Sequence, residues 1–158
     1  MIIAGTGHRP DKLGGYSPLT AFLAEEVALN WLHQQAHGIT GVISGMAQGW
    51  DQALASAALS LSLPLHCAIP FDGQESRWPD AARREYRHIL AQAASVTVIC
   101  EGGFSNHAMQ VRNEWMVDRC HLVLALWDGS SGGTGNCIRY AQQFPRPIVN
   151  LWPRYRKE

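Results

Sequence analysis

The amino-acid sequence predicts a Rossmann-like α/β fold, with a doubly wound, mainly parallel sheet flanked by helices. Six short apolar runs alternate with helix-length segments, and the runs lack polar residues at alternate positions, as is typical of strands buried on both faces. Turns rich in glycine and in unusual polar residues follow four of the first five runs. We therefore expect one domain over residues 1–158, with a loose tail over residues 152–158.

The elements follow in order from these patterns. The predicted strands are Ile2–Ala4, Gly41–Ile43, Leu65–Ile69, Val96–Cys100, Leu122–Leu126 and Pro147–Leu151. The predicted helices are Ser17–Ala36, Gly49–Leu61, Asp80–Ala94, Asn106–Arg119 and Asn136–Phe144. The residues of the first helix that we expect to face the core are Leu19, Phe22, Leu23, Val27 and Trp31. Because ligands of such folds bind beyond the carboxyl ends of the strands, the four polar turns are the candidate site.

Composition narrows the classes of partner. Thirteen basic and thirteen acidic residues cancel, so the chain lacks the broad basic face that suits DNA, and DNA is not an expected partner. No apolar run approaches the ~20 residues of a membrane span. The four cysteines form no CxxC pair, which favours a reducing cytoplasm and predicts no metal site and no cofactor. Six tryptophans leave room for a homo-oligomer interface.

The turn after the first strand reads GTGHRP and carries a candidate anion ligand. Gly5, Thr6 and Gly7 allow a tight turn, after which His8 and Arg9 are expected to face a ligand. An arginine there offers a forked donor to phosphate or carboxylate. The alternative is an ordinary surface turn with a solvated Arg9.

The turn after the second strand reads SGMAQGWD and opens a helix. Its candidate ligand-binding residues are Ser44, Gly45, Met46, Ala47, Gly49 and Asp51. Backbone N–H groups at such a helix start point at an anion. Asp51 has two equally weighted interpretations, as a ligand of ribose hydroxyls or as a first-turn residue that suits the helix dipole.

The third and fourth turns complete the candidate site. In PFDGQESRW, Phe71 and Trp78 are candidates to stack on a base beside Gln74 and Pro70, or alternatively to cover the core. In DGSSGGTGN, which spans Asp128–Asn136, the glycines suggest a cradle for phosphate. The chain lacks both GxxxxGK[ST] and GxGxxG, which argues against a P-loop NTPase and a nicotinamide-dependent dehydrogenase.

Taken in this order, GTGHRP, SGMAQGWD, the P-F-x-x-Q…W stretch, RNEWMVD and DGSSGGTGN resemble the SLOG superfamily, and its YpsA-like branch most closely. The resemblance covers about residues 2–150 and rests on the ordered set, because no single motif is highly specific. It implies a Rossmann-like fold with a pocket for nucleotides or nucleotide-derived molecules. The superfamily includes DprA, the LOG phosphoribohydrolases and sensor domains of nucleotide-signalling defence systems.

The LOG pattern implies further site residues and one departure. M-x-x-R-K-x-x-M corresponds to the run from Met109 to Met116, which contributes the candidate ligand residues Arg112, Asn113 and Met116. G-G-x-G-T-x-x-E corresponds to the run from Gly132 to Arg139, which contributes the candidate ligand residues Gly132, Gly133, Thr134 and Asn136. The acidic position of that pattern is occupied by Arg139.

The departure bears on catalysis. Cleavage of an N-glycosidic bond develops positive charge on the sugar, which a carboxylate stabilises and an arginine does not. Glu114 and Asp118 are weak candidates for a relocated acid. The sequence therefore favours a sensor or sequestering protein that binds a nucleotide-derived small molecule. The alternatives are a LOG-like phosphoribohydrolase or other hydrolase acting on nucleoside monophosphates, and an interaction protein with a vestigial pocket.

Overall fold

A computed structural model describes residues 1–156, in which strands and helices alternate along the chain. The strands are β1 (Ile2–Gly7), β2 (Gly41–Ser44), β3 (Leu65–Phe71), β4 (Ser95–Cys100), β5 (Leu122–Leu126) and β6 (Ile148–Asn150). The helices are α1 (Pro18–Gln35), α2 (Trp50–Ser60), α3 (Asp80–Gln92), α4 (Asn106–Asp118), α5 (Gly133–Gln142) and α6 (Trp152–Tyr155). The predicted Rossmann-like α/β class is confirmed.

The six strands form one parallel sheet in the order β4-β3-β2-β1-β5-β6. The order reverses beside β1, which has β2 on one side and β5 on the other. Loops that leave β1 towards one face and β5 towards the other open a crevice at that point, where ligands of such sheets bind. Because the sheet is parallel, the carboxyl ends of all six strands lie along the same edge of the sheet as this crevice.

Local sequence signals explain where the helices begin. Ser17 precedes α1, its Oγ accepts a hydrogen bond from the N–H of Thr20, and Pro18 occupies the first turn. Ser105 caps α4 in the same way by accepting from the N–H of Ala108. By contrast, α2 and α5 begin after Gly49 and Gly132, which provide no capping side chain. These two helices start at the carboxyl edge of the sheet.

Apolar side chains cover both faces of the sheet. On one face, α1, α2, α3 and α6 pack against residues such as Ile3 and Val42. On the other face, α4 and α5 pack against residues such as Ala4 and Ile43. Neighbouring residues of one strand thus serve opposite faces, as the pleat of a strand requires.

Two expectations about burial were wrong. Strand β4 is mostly exposed, with Val96 and Val98 at 47% and 49%, because it lies at the edge of the sheet and the helices pack nearer the centre. In α1, Leu19 and Phe22 are exposed at 65% and 57%, although we placed them on the core face. The buried face of α1 is formed instead by Thr20, Ala24, Val27, Ala28, Trp31 and Leu32.

The tail is also more ordered than expected. Residues 152–155 form α6, whereas residues 157 and 158 of the predicted loose tail lie outside the described part of the chain. Tyr155 is buried, and its hydroxyl donates a hydrogen bond to the carbonyl of Leu13. In residues 1–156, no helix is long and apolar enough to cross a membrane.

This contact gives a first prediction about stability. We expect Tyr155→Phe to lower the free energy of unfolding by about 1–2 kcal/mol, because the buried Leu13 carbonyl loses its donor while the ring stays in place. Urea denaturation of both proteins measures the change. Tyr16→Phe is the matched control, since Tyr16 is 66% exposed. Equal losses in the two variants would contradict a structural role for the tail.

Candidate functional site

A cavity of about 520 Å³ opens at the carboxyl edge of the sheet, within the usual size range of small-molecule sites. Many of the predicted residues line it: Gly5, Thr6, Gly7, His8, Arg9, Ala47, Asp51, Arg112, Asn113, Gly132, Gly133, Thr134 and Asn136. The walls come from the loops after β1, β2, β4 and β5 and from the start of α4. The sequence therefore predicted much of the lining, although ligand binding by these residues stays a prediction.

Gly5, Thr6 and Gly7 form the end of β1 and not the tight turn that we expected, since all three pair with β5 in the sheet. Packing fixes this end of the strand. A Cβ added at Gly7 would lie 2.5 Å from the fully buried Trp50 ring, so glycine is required for α2 to approach β1. The indole N–H of Trp50 donates to the Leu124 carbonyl at 3.1 Å, which ties α2 across to β5. Gly7 therefore serves the packing of the fold as well as the shape of the cavity.

His8 joins the loops after β1 and β5. It is 6% exposed, and its Nε2 lies 2.8 Å from the Asp128 carboxylate and 3.0 Å from the Asp128 backbone N. The ring donates to the carboxylate when Nε2 is protonated and accepts from the backbone N–H in the other tautomer. Ser130 donates to the same carboxylate from its hydroxyl and its N–H, and these bonds hold the pKa of Asp128 below its usual range. Asp128 thus orders the wall rather than lining the cavity.

Asp51 is a carboxylate in the wall of the cavity. It is 8% exposed and accepts a hydrogen bond from the N–H of Ala47 at 3.2 Å, and the hydroxyl of Ser44 donates to its backbone carbonyl at 2.7 Å. Burial raises the pKa of this carboxyl, while Arg112 and the Ala47 N–H act in the opposite direction. Asp51 both closes the turn before α2 and presents an acid to the cavity, so neither of its two interpretations is excluded.

Arg112 lies largely beneath the cavity floor, which changes its interpretation. It is 4% exposed, and its Nη1 donates to the Gly45 carbonyl at 2.6 Å and to the Ala68 carbonyl at 3.4 Å. Its Nε donates to the Asn113 side chain at 3.0 Å. A Cβ at Gly45 would lie 2.3 Å from Nη1, so glycine is needed there for the guanidinium to fit. These contacts give Arg112 a structural role that the sequence did not indicate.

The accessible cations of the cavity are Arg9 and Lys12. Arg9 is exposed, and its guanidinium forms no hydrogen bond or ion pair with any side chain or carbonyl of residues 1–156. The Nζ of Lys12 donates to the hydroxyl of Ser130 at 2.8 Å, across the mouth between two loops. Arg9 is therefore better placed than Arg112 to meet an incoming anion.

The start of α5 forms another part of the wall. Gly132 precedes the helix without a capping side chain, and the first intrahelical hydrogen bond joins the N–H of Asn136 to the Gly132 carbonyl at 2.9 Å. The N–H groups of Gly133, Thr134 and Gly135 therefore have no intrahelical acceptor. They add to the positive end of the helix dipole, an arrangement that suits a bound anion.

The loop after β3 does not take part in this cavity. Gln74 donates to the Gly45 carbonyl at 3.2 Å and to the Tyr86 hydroxyl at 3.4 Å, so it braces the neighbouring loop. Trp78 contacts the Tyr86 ring edge-on with centroids 5.3 Å apart, and Phe71 is 8% exposed. Trp78 packs against the main core cluster, whereas Phe71 ends β3 and contacts the ring of Phe104. The predicted residues that do not line the cavity are Ser44, Gly45, Met46, Gly49, Pro70, Phe71, Gln74, Trp78, Met116 and Asp128.

The weak catalytic candidates also lie outside the lining. Glu114 accepts from the Gln110 side chain at 3.1 Å, and Asp118 accepts from the Tyr140 hydroxyl at 2.7 Å, a contact that raises the pKa of Tyr140 to about 12. Arg139 is exposed and donates to Asn136 instead of facing the cavity. Arg139 is therefore not part of the described lining, and its effect on a bound sugar stays a prediction. The acids of the described lining are Asp11 and Asp51.

Several lining residues were missed from the sequence: Asp11, Lys12, Phe104, Asn106, Met109, Gln110, Ser130, Ser131 and Gly135. The only signal for Phe104 was an aromatic residue between a glycine pair and the serine cap of the next helix, just after a strand. In residues 1–156, no group of three His, Cys, Asp or Glu side chains is arranged to hold a metal ion.

Comparisons with known proteins agree with this architecture. The chain is 32% identical over 118 residues to the SPbeta prophage-derived protein YoqJ of Bacillus subtilis (strain 168), covering 64% of this chain and 68% of that one. DNA processing protein A of Streptococcus pneumoniae superposes with a TM-score of 0.65 and 21% identity over 92% of this chain. The match covers 48% of the pneumococcal protein, so this chain spans about half its length.

The corresponding protein from Helicobacter pylori, whose structure was described for its single-stranded DNA binding mode, superposes with a TM-score of 0.62 and 17% identity. It covers 94% of this chain and 63% of that one. At these identities the likeness concerns the fold alone. Residues 3–145 match the family model YpsA, described as the YspA SLOG family, and the chain belongs to that family.

Proposed function

We propose that the cavity at the carboxyl edge binds a nucleotide or a nucleotide-derived small molecule. The observation that carries this proposal is the convergence of the uncapped start of α5 and the free guanidinium of Arg9 on one cavity of about 520 Å³. Backbone N–H groups at a helix start and an arginine fork are both suited to phosphate. Membership of the SLOG family supports the same chemistry.

The test is titration calorimetry of the purified protein with nucleoside monophosphates, ADP-ribose, ribose 5-phosphate and free nucleosides. We expect binding of phosphate-containing compounds and weaker binding of nucleosides. Mass spectrometry of any small molecule that copurifies would identify the natural ligand. A folded protein that binds none of these compounds and carries no small molecule would contradict the proposal and favour an interaction protein with a vestigial pocket.

Arg9 gives the sharpest test of the phosphate contact. We expect Arg9→Ala to lower the affinity for nucleoside monophosphates about ten- to a hundredfold, because the paired guanidinium hydrogen bonds to phosphate are lost. The affinity for free nucleosides should change little. Calorimetry on both ligand classes measures the difference. Arg84→Ala is the matched control, since Arg84 is exposed on α3 away from the cavity. Equal weakening of nucleotides and nucleosides by Arg9→Ala would remove Arg9 from the phosphate site.

A hydrolase is the second candidate, because the cavity contains Asp51, a buried acid whose pKa is raised mainly by desolvation. A carboxyl group in such a site is able to stabilise a cationic sugar or to move a proton. We nevertheless expect binding without release of free base, since the LOG glutamate position is occupied by Arg139. Chromatography after long incubation with nucleoside monophosphates tests this. Base release that disappears in Asp51→Asn would make the protein a glycosidase.

Two further kinds of binding remain to be tested, binding to DNA and association with a second copy of this chain. Our expectation that DNA is not a partner lacks support, because a protein of the same fold was described for its single-stranded DNA binding mode. Fluorescence anisotropy with a labelled oligothymidylate measures whether the protein binds single-stranded DNA as well as free nucleotides. The homo-oligomer expected from the tryptophan content stays a prediction, which light scattering tests by molar mass.

A further inference from the structure

Phe104 stands out among the residues that line the cavity. It is 65% exposed, whereas an apolar side chain of this size is usually withdrawn from water. Its only aromatic neighbour in the described chain is Phe71, whose ring centroid lies 6.2 Å away at an interplanar angle of 82°. An edge-to-face contact of this kind fixes the ring without covering both of its faces. A large aromatic surface is therefore presented to the mouth of the cavity.

The position of Phe104 in the fold separates it from the anion-binding elements. It follows β4, which lies three strands from β1, so the backbones of these two strands are about 14 Å apart at ~4.8 Å per strand. The side chains of Arg9 and Phe104 both enter the lining of the cavity and narrow this span. Arg9 follows β1, and Gly133 lies after β5 on the far side of β1. The cavity continues between the two ends along the first turns of α4. An elongated ligand with a phosphate near Arg9 thus extends its other end towards Phe104.

Polar groups that line the same cavity as Phe104 suit the edge of a heterocycle. Asn106, Gln110 and Asn113 line the same cavity from one side of α4, and each carries a carboxamide. The oxygen of Asn113 already accepts from Arg112, so its amide N–H groups remain available as donors. In the loop that carries Phe104, a Cβ at Gly102 or Gly103 would meet nothing within 4 Å, which leaves the loop room to adjust.

We infer that Phe104 is the stacking platform for the base of the bound nucleotide, and that the ligand is therefore a compound with a planar aromatic base. This inference rests on the proposed nucleotide-binding function. It assigns the aromatic contact to a residue after β4 rather than to Phe71 or Trp78, neither of which lines the cavity. Phe71 then acts as a positioning residue that holds Phe104 edge-on.

The test compares ligands with and without a base. We expect Phe104→Ala to lower the affinity for adenosine and guanosine 5′-monophosphate about five- to 150-fold, the range for removal of one stacking aromatic side chain. Ribose 5-phosphate, which has no base, should bind the variant and the wild type equally. Phe104→Trp should retain nucleotide binding, and Phe104→Leu should lose most of it, because leucine has similar bulk and no π face. Ligand-observed NMR and calorimetry measure all four proteins.

Phe22→Ala is the matched control, since Phe22 is 57% exposed on α1 and does not line the cavity. Equal loss of nucleotide and ribose 5-phosphate in Phe104→Ala would overturn the inference, because Phe104 would then only support the loop. Unchanged nucleotide affinity in that variant would also overturn it and leave the proposed function intact. A wild-type protein that binds no nucleotide would instead overturn the proposed function itself.

One further arm distinguishes the source of the base. The same variants are titrated with labelled oligothymidylate under the same salt conditions. We expect the free monophosphates to bind the wild type and the oligonucleotide to bind only weakly, which supports a mononucleotide site. Tight oligonucleotide binding that depends on Phe104, with no binding of monophosphates, would overturn the assignment to a free nucleotide.

Discussion

Replacement of Gly133 with valine is expected to abolish nucleotide binding while the protein stays folded. Gly133 lines the cavity in the first turn of α5, and a Cβ added there meets nothing within 4 Å, so the fold accepts a side chain. The open space is the cavity itself, and a branched side chain in it separates the helix N–H groups from a phosphate. Loss of several charge-assisted hydrogen bonds should lower the affinity at least about a hundredfold.

The measurement pairs calorimetry with thermal denaturation. The control is Gly38→Val, because Gly38 is exposed, likewise has nothing within 4 Å of an added Cβ, and lies between α1 and β2, at the opposite edge of the sheet. We expect Gly38→Val to bind nucleotide as the wild type does. A folded Gly133→Val protein with unchanged affinity would remove the start of α5 from the ligand site.

Arg112→Ala is expected to lower the free energy of unfolding substantially. The substitution removes the buried guanidinium that donates to the Gly45 and Ala68 carbonyls, of which the first keeps a contact from Gln74. It also removes a cation whose charge acts on the buried Asp51. Removal of the hydrogen-bond partner of a buried polar group costs about 1–3 kcal/mol. Urea denaturation should therefore show a much lower midpoint. Arg84→Ala, on the exposed face of α3, should change the free energy of unfolding by less than about 0.5 kcal/mol.

The loss of stability in Arg112→Ala should also depend on pH, and the direction of this dependence follows from the pKa of Asp51. Burial already raises the pKa of its carboxyl above the ordinary 3.8, and Arg112 opposes this, so the variant raises the pKa further. A carboxyl with a raised folded-state pKa stabilises the protein below its unfolded pKa and loses that contribution as pH rises through the folded value. The deficit of Arg112→Ala should hence be larger at about pH 8 than at about pH 5.

A double variant isolates the electrostatic part. Adding Asp51→Asn to Arg112→Ala removes the unpaired charge, and we expect it to restore part of the lost stability at about pH 8 and little at about pH 5. A deficit that is the same at both pH values and unaffected by Asp51→Asn would mean that Arg112 acts through packing alone. Near-normal stability of Arg112→Ala, with selective loss of phosphate ligands, would return Arg112 to the role that the LOG pattern implied.

Much of the architecture was determined by the sequence, because it depends on local patterns. Apolar runs without polar alternation predicted a buried parallel sheet, and the residues that end those runs marked the edge where the cavity lies. The glycines of GTGHRP and DGSSGGTGN were correctly placed at that edge. Periodicity alone misassigned Leu19 and Phe22, since an apolar stripe on a helix does not reveal which part of it a neighbour covers.

Only the tertiary structure decided the direction in which each polar or aromatic side chain points. Arg112 and Arg9 carry the same chemistry, yet the fold buries the first against the carbonyls of Gly45 and Ala68 and leaves the second free in the cavity. Phe71, the last residue of β3, is buried, while Phe104, in the loop after β4, is exposed and lines the cavity. These differences depend on contacts between residues far apart in the chain, such as the 67 positions between Gly45 and Arg112, which no local pattern encodes.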